Sequence, residues 1–487
     1  MNRLLLTLLA LGTGFVSGKE RPNVLFIAVD DLRPEINCFG AAHVKSPNLD
    51  SLAAGGTAFL NAHCQQAVCS PSRTSLMTGL RPDSTKVWDL NTHFRDHVPD
   101  VITISQHFKN NGYHSASMGK IYHGGFDDDL SWSEKALRPT GASRYALPEN
   151  NRLMARKRKA AKARGLRGKA LSRASRGPAV ECAEVPDETY TDGAVAALAV
   201  KTLGELGKRE QPFFLAVGFA NPHLPFNSPK KYWDLYDPAK IELAPNPFPP
   251  KNAARYALSN SGEIRVYEGI PRKGPLSDET ARELRHGYYA AVSFIDACVG
   301  RVLDALDRLE LAEETIVVLW GDHGWKLGEH AAWCKHSNVH LDTNAPLIFR
   351  APGQGTTGTP CTAPVEFVDI YPTLCELAGL SLPSHLEGDS VAPLLDQPGR
   401  PWKRAAFTQY PRGSTMGYSL TTGDHRYTVW VEKASPHKVL ATELYDHTKD
   451  PRENENVVGR PEYAPLVKTL HKLHEEGWKG TRKALRH

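Results

Sequence analysis

The segment Cys69-Ser70-Pro71-Ser72-Arg73 places a thiol directly before residues that favour the start of an α-helix. Serine is a preferred helix N-cap and proline fits the first helical position, so we expect a helix that starts at Ser70 and ends near Gly79. The amide groups and positive dipole at such a terminus attract anions, and Arg73 adds a charged fork suited to sulfate or phosphate. A buried or disulfide-bonded cysteine on an ordinary capped helix is the alternative explanation.

Further residues that can bind a metal or transfer protons follow three apolar segments of the chain. Residues 24–29, 213–219 and 315–320 are predicted to be buried strands, as is the shorter segment 347–349. The residues that come next are Asp30-Asp31, Asn221-Pro222-His223 and Asp322-His323. Apolar residues at helical spacing over 292–309 predict a helix packed on the sheet.

Alternating helices and apolar strands predict an α/β fold with a mostly parallel sheet. In such sheets ligands bind beyond the carboxyl ends of the strands. The three strand ends are therefore expected to bring carboxylates and imidazoles to one edge. Taken singly, Asp30-Asp31 is also compatible with a turn, His223 with a loop position and Lys335 with a solvated charge.

Together these residues resemble the type I sulfatase family. Residues 69–73 match its C-x-P-x-R signature, and the acidic pairs at Asp30 and Asp322 resemble its metal ligands. Lys120 with His123, then His223 and Lys335, resemble its remaining site residues and occur in the same order. Longer segments resemble the iduronate-2-sulfatase group of this family and its bacterial relatives, from about residue 21 to the C-terminus: residues 30–34, 65–69, 213–218, 322–325, 327–330 and 426–431.

The resemblance implies an alkaline-phosphatase-like fold, in which helices sandwich the sheet. It also implies that a dedicated maturating enzyme oxidises Cys69 to Cα-formylglycine, whose hydrated aldehyde attacks sulfur. One Ca²⁺ would be held by Asp30, Asp31, Asp322, His323 and an oxygen of residue 69, although an imidazole is an unusual ligand for a hard cation.

The same resemblance assigns roles to the other site residues. Arg73 would hold the hydrated aldehyde, while Lys120 and Lys335 would bind sulfate oxygens. His223 would protonate the leaving oxygen, and His123 would take a proton so that sulfate is eliminated. Trp325 and His336 are candidate substrate-binding residues, and His336 stands where the iduronate-2-sulfatase group carries a tyrosine.

The N-terminus predicts export. Residues 1–18 combine Arg3, an apolar run over 4–11 and the small-residue site Val16-Ser17-Gly18, which is typical of a signal peptide. No segment is long enough to span a membrane, and no nucleic-acid-binding motif is present. No N-x-Ser/Thr acceptor occurs, which favours a bacterial periplasm or extracellular space over a lysosome.

Charge is distributed unevenly along the 487 residues. The net charge is +5, but residues 151–180 contain eleven lysines and arginines and no acid, so the rest of the chain carries −6. One interpretation is a solvated, mobile insertion that repels itself and stays extended. The other is an electrostatic arm for a polyanion such as a sulfated glycan. This segment is the main one that does not fit the family.

The eight cysteines are too few for a disulfide scaffold, although an exported chain can form some bridges. We expect a catalytic α/β domain over residues 19–386 and a smaller α+β domain over 387–487, joined near 397–402. The function predicted is an exo-acting uronate 2-O-sulfatase on glycosaminoglycan fragments. A phosphonate or phosphate ester hydrolase and a non-catalytic sulfoglycan-binding protein are the alternatives.

Overall fold

The computed structural model describes residues 21–482. Its centre is a six-stranded sheet, whose strands in chain order are β1 (Asn23–Asp30), β2 (Thr57–Ala58), β3 (His114–Gly119), β4 (Phe213–Pro222), β5 (Thr315–Gly321) and β6 (Leu347–Arg350). Their order across the sheet is β2-β6-β5-β1-β4-β3. The four strands β3, β4, β1 and β5 are parallel, whereas β6 is antiparallel to both neighbours. The predicted mostly parallel sheet is confirmed.

Both faces of the sheet are buried under helices. In β1, Leu25, Ile27 and Val29 belong to one apolar cluster, while Val24, Phe26 and Ala28 belong to the other. This alternation explains why the strand reads as a continuous apolar run. The helices of seven or more residues are α1 (Pro47–Ala54), α2 (Cys69–Thr78), α3 (Ile104–Asn110), α4 (Pro148–Ala163), α5 (Gly168–Ala174), α6 (Thr191–Leu206), α7 (Asp278–Arg308), α8 (Ile370–Leu377) and α9 (Ala464–Thr481).

The helix predicted over 292–309 is the second half of α7. It begins earlier because the Ser277 side chain accepts a hydrogen bond from the Thr280 amide at 3.2 Å. The helix ends before Leu309, whose side chain is exposed rather than part of the buried stripe.

The basic segment is helical, so the expectation of an extended chain is wrong. It forms α4 and α5, which pack against each other, and the side chains of Ala161 and Leu171 are buried. Lys157 fixes the segment further through a 2.7 Å ion pair with Glu268. Lysine, arginine and alanine are good helix formers, and tertiary contacts here outweigh the repulsion between like charges.

The C-terminal part forms a four-stranded antiparallel sheet of β7 (Ala406–Arg412), β8 (Thr415–Thr421), β9 (His425–Glu432) and β10 (Ser435–Asp446). Apolar residues of β9 and α9 pack together beneath it. Within residues 21–482, no helix is long and apolar enough to cross a membrane. The predicted signal peptide lies outside the described residues.

Three buried or partly buried histidines lie close together near the C-terminal sheet, and they are expected to make the folded protein less stable at acidic pH. The ring of His340 lies 5.3 Å from that of His63 and 4.9 Å from that of His447. Burial and the neighbouring His447 lower the pKa of His340 to about 4, so the unfolded chain binds this proton at a higher pH than the folded protein. The contribution of His340 to stability should therefore fall by about 3 kcal/mol as the pH drops from about 6.5 to about 4.

Thermal unfolding measured between about pH 7.5 and 4.5 tests this expectation. The variant His340→Gln should lose less stability over this range than the wild type. Substitution of the exposed His437 by glutamine is the matched control and should leave the slope unchanged. An identical slope in His340→Gln and wild type would show that this histidine does not govern acid stability.

Candidate active site

The ends of β1 and β5 bring three carboxylates and an imidazole together. Asp30 ends β1 and Asp31 follows it, Asp322 and His323 follow β5, and all four side chains are buried. The Asp31 amide donates to Asp322 Oδ1 at 2.9 Å, which fastens the two strand ends. Asp31 has a φ of 59°, a left-handed conformation that is uncommon outside glycine and often occurs at functional sites.

Cys69 is the first residue of α2. The N-cap is Val68, two residues before the expected Ser70, and Gly79 ends the helix with a φ of 69°. Cys69 Sγ lies 3.4 Å from His323 Nε2 and 3.9 Å from Asp31 Oδ1. Burial and the charge of Asp30 raise the pKa of this thiol well above its usual value. An unmodified Cys69 is therefore protonated and a weak nucleophile.

All eight cysteines are free. The disulfide-bonded alternative for Cys69 is therefore wrong.

The guanidinium of Arg73 is not exposed, as that of an anion-binding arginine would be. It is fully buried, and its Nε donates to Asp322 Oδ2 at 2.8 Å while Nη2 donates to Asp30 Oδ1 at 3.1 Å. Nη1 donates to the carbonyl oxygens of Lys120 and Ile121. The expectation that its fork faces the anion is corrected, because the structure uses it to hold two carboxylates and a turn.

Two lysines add positive charge beside the carboxylates, and of these Lys335 lines the cleft described below. Lys120 Nζ bonds Asp30 Oδ2, and Lys335 Nζ lies 2.9 Å from Asp31 Oδ1. Lys335 is 2% exposed, so the alternative of a solvated charge is wrong. The neighbours of Lys335, Cys334 and His336, have φ values of 71° and 87°, which indicates a constrained loop.

Close backbone packing positions Lys120. A Cβ on Gly119 would lie 1.9 Å from the carbonyl oxygen of Gly218, and the φ of Gly119 is 69°. Only glycine tolerates both conditions, so β3 and β4 can approach closely where Lys120 begins the following turn.

The pKa values of the carboxylates show how crowded the negative charge is. Burial disfavours the ionised form of Asp30, but the charges of Lys120 and Arg73 hold its pKa well below the usual range. Burial and the charge of Asp30 raise the pKa of Asp31 to about 7, although Lys335 opposes this. The chain's own cations therefore do not fully compensate the buried carboxylates.

The donor set fits a divalent cation. The ligand atoms of Asp31, Cys69, Asp322 and His323 lie within 4.8 Å of one another, as do those of Asp30, Asp31, Cys69 and His223. His323 Nδ1 lies 2.9 Å from the carbonyl oxygen of Gly324, and this contact leaves Nε2 free to ligate. Carboxylate-rich ligation suits a hard cation such as Ca²⁺.

Two histidines face the cleft in different electrostatic settings. Burial and the charge of Lys120 lower the pKa of His123 to about 4, so His123 is neutral and able to accept a proton. His223 has its Nδ1 2.6 Å from the carbonyl oxygen of Leu224 and its Nε2 3.0 Å from Glu263 Oε1. Burial and Lys335 lower the pKa of His223, which makes its protonated form a stronger acid.

A cleft of about 720 Å³ opens onto these residues. Cys69, His123, His223, Lys335 and His336 line it. Trp325 does not, so its expected substrate contact is corrected: it is fully buried. Its ring lies 4.6 Å from Lys335 Nζ, where it supports that side chain from behind.

Glu263 is a further candidate site residue, which no sequence motif indicates. Its carboxylate lies 3.0 Å from both His223 and Lys335 and 3.4 Å from His336. Burial disfavours its charge, but Lys335 and His223 hold its pKa well below the usual value. It lies in a loop without a recognisable motif, so only the tertiary structure reveals it.

Changing Glu263 to glutamine is expected to lower kcat about tenfold without raising KM, because the charged hydrogen bond that orients His223 is lost. A negative side chain in the cleft also does not assist the binding of an anion. Steady-state kinetics would measure both constants, with Glu268→Gln, whose partner is Lys157, as the control. A raised KM at unchanged kcat would instead mean that Glu263 contacts the substrate.

Comparisons with known proteins place the whole chain in a family. A family model described as sulfatase matches residues 22–380, and one described as N-sulphoglucosamine sulphohydrolase, C-terminal, matches residues 328–478. Iduronate 2-sulfatase of Homo sapiens is 36% identical over 529 aligned residues, covering 92% of this chain and 93% of that protein.

Solved structures share the fold. A protein in complex with its substrate D-glucosamine-2-N,6-O-disulfate has a TM-score of 0.75 at 20% identity, covering 95% of this chain and 98% of that one. Phosphonate monoester hydrolase of Agrobacterium radiobacter has a TM-score of 0.71 at 25% identity, covering 96% and 97%. These likenesses confirm the expected alkaline-phosphatase-like architecture.

Proposed function

Because this chain belongs to the sulfatase family, we propose that it is an exported enzyme that removes 2-O-sulfate from a terminal uronic acid of glycosaminoglycan fragments. The observation that supports this best is the convergence of Cys69, the acidic cluster and two lysines bound to it at one buried point. A sulfate monoester resists attack because its oxygens are negative, so a site that hydrolyses it must supply positive charge. The similarity to iduronate 2-sulfatase supports the 2-O-uronate specificity.

In this proposal residue 69 is converted to formylglycine by a separate maturating enzyme and then provides the attacking oxygen. The raised pKa of the Cys69 thiol agrees with this, because the unmodified side chain is poorly suited to attack. Lys120 and Lys335 bind sulfate oxygens, and the substrate replaces part of their present contact with carboxylates. Arg73 keeps Asp30 and Asp322 in place.

The two histidines divide the proton transfers. His223, held by Leu224 and Glu263, donates a proton to the leaving sugar oxygen. His123, neutral because burial and Lys120 lower its pKa, accepts the proton that is released when sulfate leaves residue 69. Bound Ca²⁺, held by Asp30, Asp31, Asp322 and His323, would withdraw charge from a sulfate oxygen.

Paired assays distinguish the proposal from its alternatives. Matured protein is incubated with aryl sulfate and aryl phosphonate esters, and then with disaccharides that differ only in sulfate position. We expect sulfate ester hydrolysis to dominate, and the 2-O-sulfated uronate to react fastest. A preference for phosphonate esters would support the hydrolase alternative, which the shared fold also allows.

Intact mass tests the maturation step. Formylglycine makes the peptide that contains Cys69 lighter by about 18 Da. An unmodified peptide in active material would contradict this mechanism, and in inactive material it would favour the sulfoglycan-binding alternative. Periplasmic or extracellular recovery with loss of residues 1–18 is the expected result for localisation in a bacterium.

A further inference from the structure

One wall of the cleft is built by the basic segment rather than by family site residues. Lys169, Ser172 and Arg173 of α5, followed by Arg176, line the same cleft as Cys69. Lys169, Ser172 and Arg173 lie on one side of α5, because residues three and four apart are neighbours on a helix, and Arg176 lies two residues after the helix ends. Arg412, at the end of β7, contributes a fourth cation to the cleft lining.

These four cations lack acidic partners. Within residues 21–482, none of Lys169, Arg173, Arg176 and Arg412 forms an ion pair with a carboxylate. Glu263 is the acidic residue of the described cleft lining, and it is already engaged by Lys335, His223 and His336. Four unpaired like charges around one cleft repel one another, so an anion that enters it is stabilised.

Two of the arginines are held in place by uncharged contacts. Arg176 lies over the Tyr267 ring at 5.5 Å, and its buried Nε has no hydrogen-bond partner within residues 21–482. Arg412 lies over the Tyr410 ring at 4.4 Å and donates to the Tyr256 carbonyl oxygen at 2.9 Å. Arginines fixed this way lose little freedom on binding a planar or tetrahedral anion.

We propose that Lys169, Arg173, Arg176 and Arg412 form a second anion subsite, for a sulfate or carboxylate on the sugar adjacent to the one that loses sulfate. This inference rests on the proposed function, because the reacting sulfate must lie at the Cys69 end of the cleft. The preferred substrate is then an acidic oligosaccharide with at least two negatively charged sugars. The basic segment is a specificity element and not merely a solvated insertion.

The test compares three disaccharides that share the same 2-O-sulfated uronate and differ in the second sugar, which is neutral, carboxylated or sulfated. We expect kcat/KM to be at least about tenfold higher for one of the charged sugars than for the neutral one, mainly through KM. Whichever charged sugar reacts faster identifies the anion. This preference should shrink as salt rises from about 0.05 to about 0.3 M, because exposed charges are screened.

Variants assign the effect to the subsite. Arg173→Gln should reduce the ratio of kcat/KM between the preferred charged and the neutral disaccharide by about tenfold, and Lys169→Gln should reduce it in the same direction. The matched control is the triple variant Arg156→Gln, Arg158→Gln, Lys159→Gln. It removes exposed charges of α4 that do not line the cleft, and it should keep the wild-type ratio.

Failure of the second anion subsite can be distinguished from failure of the proposed function. Equal kcat/KM for the three disaccharides, or an equal loss in the α4 control, would overturn the subsite while leaving the proposed function intact. Absence of hydrolysis of every sulfate ester would overturn the proposed function. Calorimetric binding of the three disaccharides to the Cys69→Ala protein then decides the subsite independently, because a charged second sugar must still bind more tightly.

Discussion

Replacing Cys69 with alanine is expected to lower kcat for sulfate ester hydrolysis by at least about 10⁴-fold, the loss typical of removing a nucleophile. The substitution leaves the positive charges and the acidic cluster in place, so substrate binding should persist. Steady-state and single-turnover assays that compare the variant with matured wild type measure the loss. Little change in thermal stability is expected, since the thiol makes contacts of 3.4 Å and longer and no short hydrogen bond.

Cys375→Ala is the matched control, because Cys375 is also fully buried but lies in α8 within an apolar cluster. This variant should keep wild-type kcat and lose only the small stability expected for a truncated core side chain. If Cys69→Ala retained more than about a tenth of the wild-type kcat, residue 69 would not be the nucleophile.

The strands that could be predicted from the sequence are those whose pattern of apolar residues is determined by burial of the strand itself. Strands β1, β4 and β5 are buried on both faces, so their apolar runs were visible, and the polar residues at their ends could be assigned to one sheet edge. The direction of β6 was not visible, because an apolar run carries no information about its orientation. The helices of the basic segment were missed because charge suggested repulsion, while the packing of Leu171 is a tertiary effect.

The sequence predicted most residues of the candidate site, but it did not predict which side chains contact one another. Motif spacing identified Arg73 but suggested a fork facing an anion, whereas the structure pairs it with Asp30 and Asp322. Glu263 carried no signal, because the loop that brings it to His223 and Lys335 has no motif. Contacts between residues far apart in the chain depend on how the loops fold over the sheet edge.

The contacts of Arg73 and of the two lysines can be explained by the charge of the buried carboxylates. Three buried carboxylates are partly compensated by Arg73 from inside the protein and by the ammonium groups of Lys120 and Lys335. In the proposed mechanism the lysine ammonium groups exchange partners when an anionic ester enters. Arg73 would then maintain the site, while the lysines would take part in binding.

Replacing Arg73 with methionine is accordingly expected to destabilise the protein by about 3–5 kcal/mol, because Asp30 and Asp322 lose a buried partner. Activity should fall by at least about 10³-fold, since the carboxylates no longer hold their positions. Arg73→Lys should retain most of the stability but lose at least about 10²-fold in kcat, because one ammonium cannot reach both carboxylates and two carbonyl oxygens. Thermal unfolding and steady-state kinetics on both variants measure these effects.

Arg426→Met separates loss of a buried ion pair from loss of the site. Arg426 pairs with Glu453 at 2.6 Å, and both side chains are buried at the C-terminal sheet. This variant should lose comparable stability, yet keep wild-type kcat at temperatures where it remains folded. Added Ca²⁺ should raise the unfolding temperature of Arg73→Met more than that of Arg426→Met, because only Arg73→Met leaves carboxylates of the proposed metal site uncompensated. Equal kcat values for Arg73→Lys and wild type would show that the bridging geometry of Arg73 does not support catalysis.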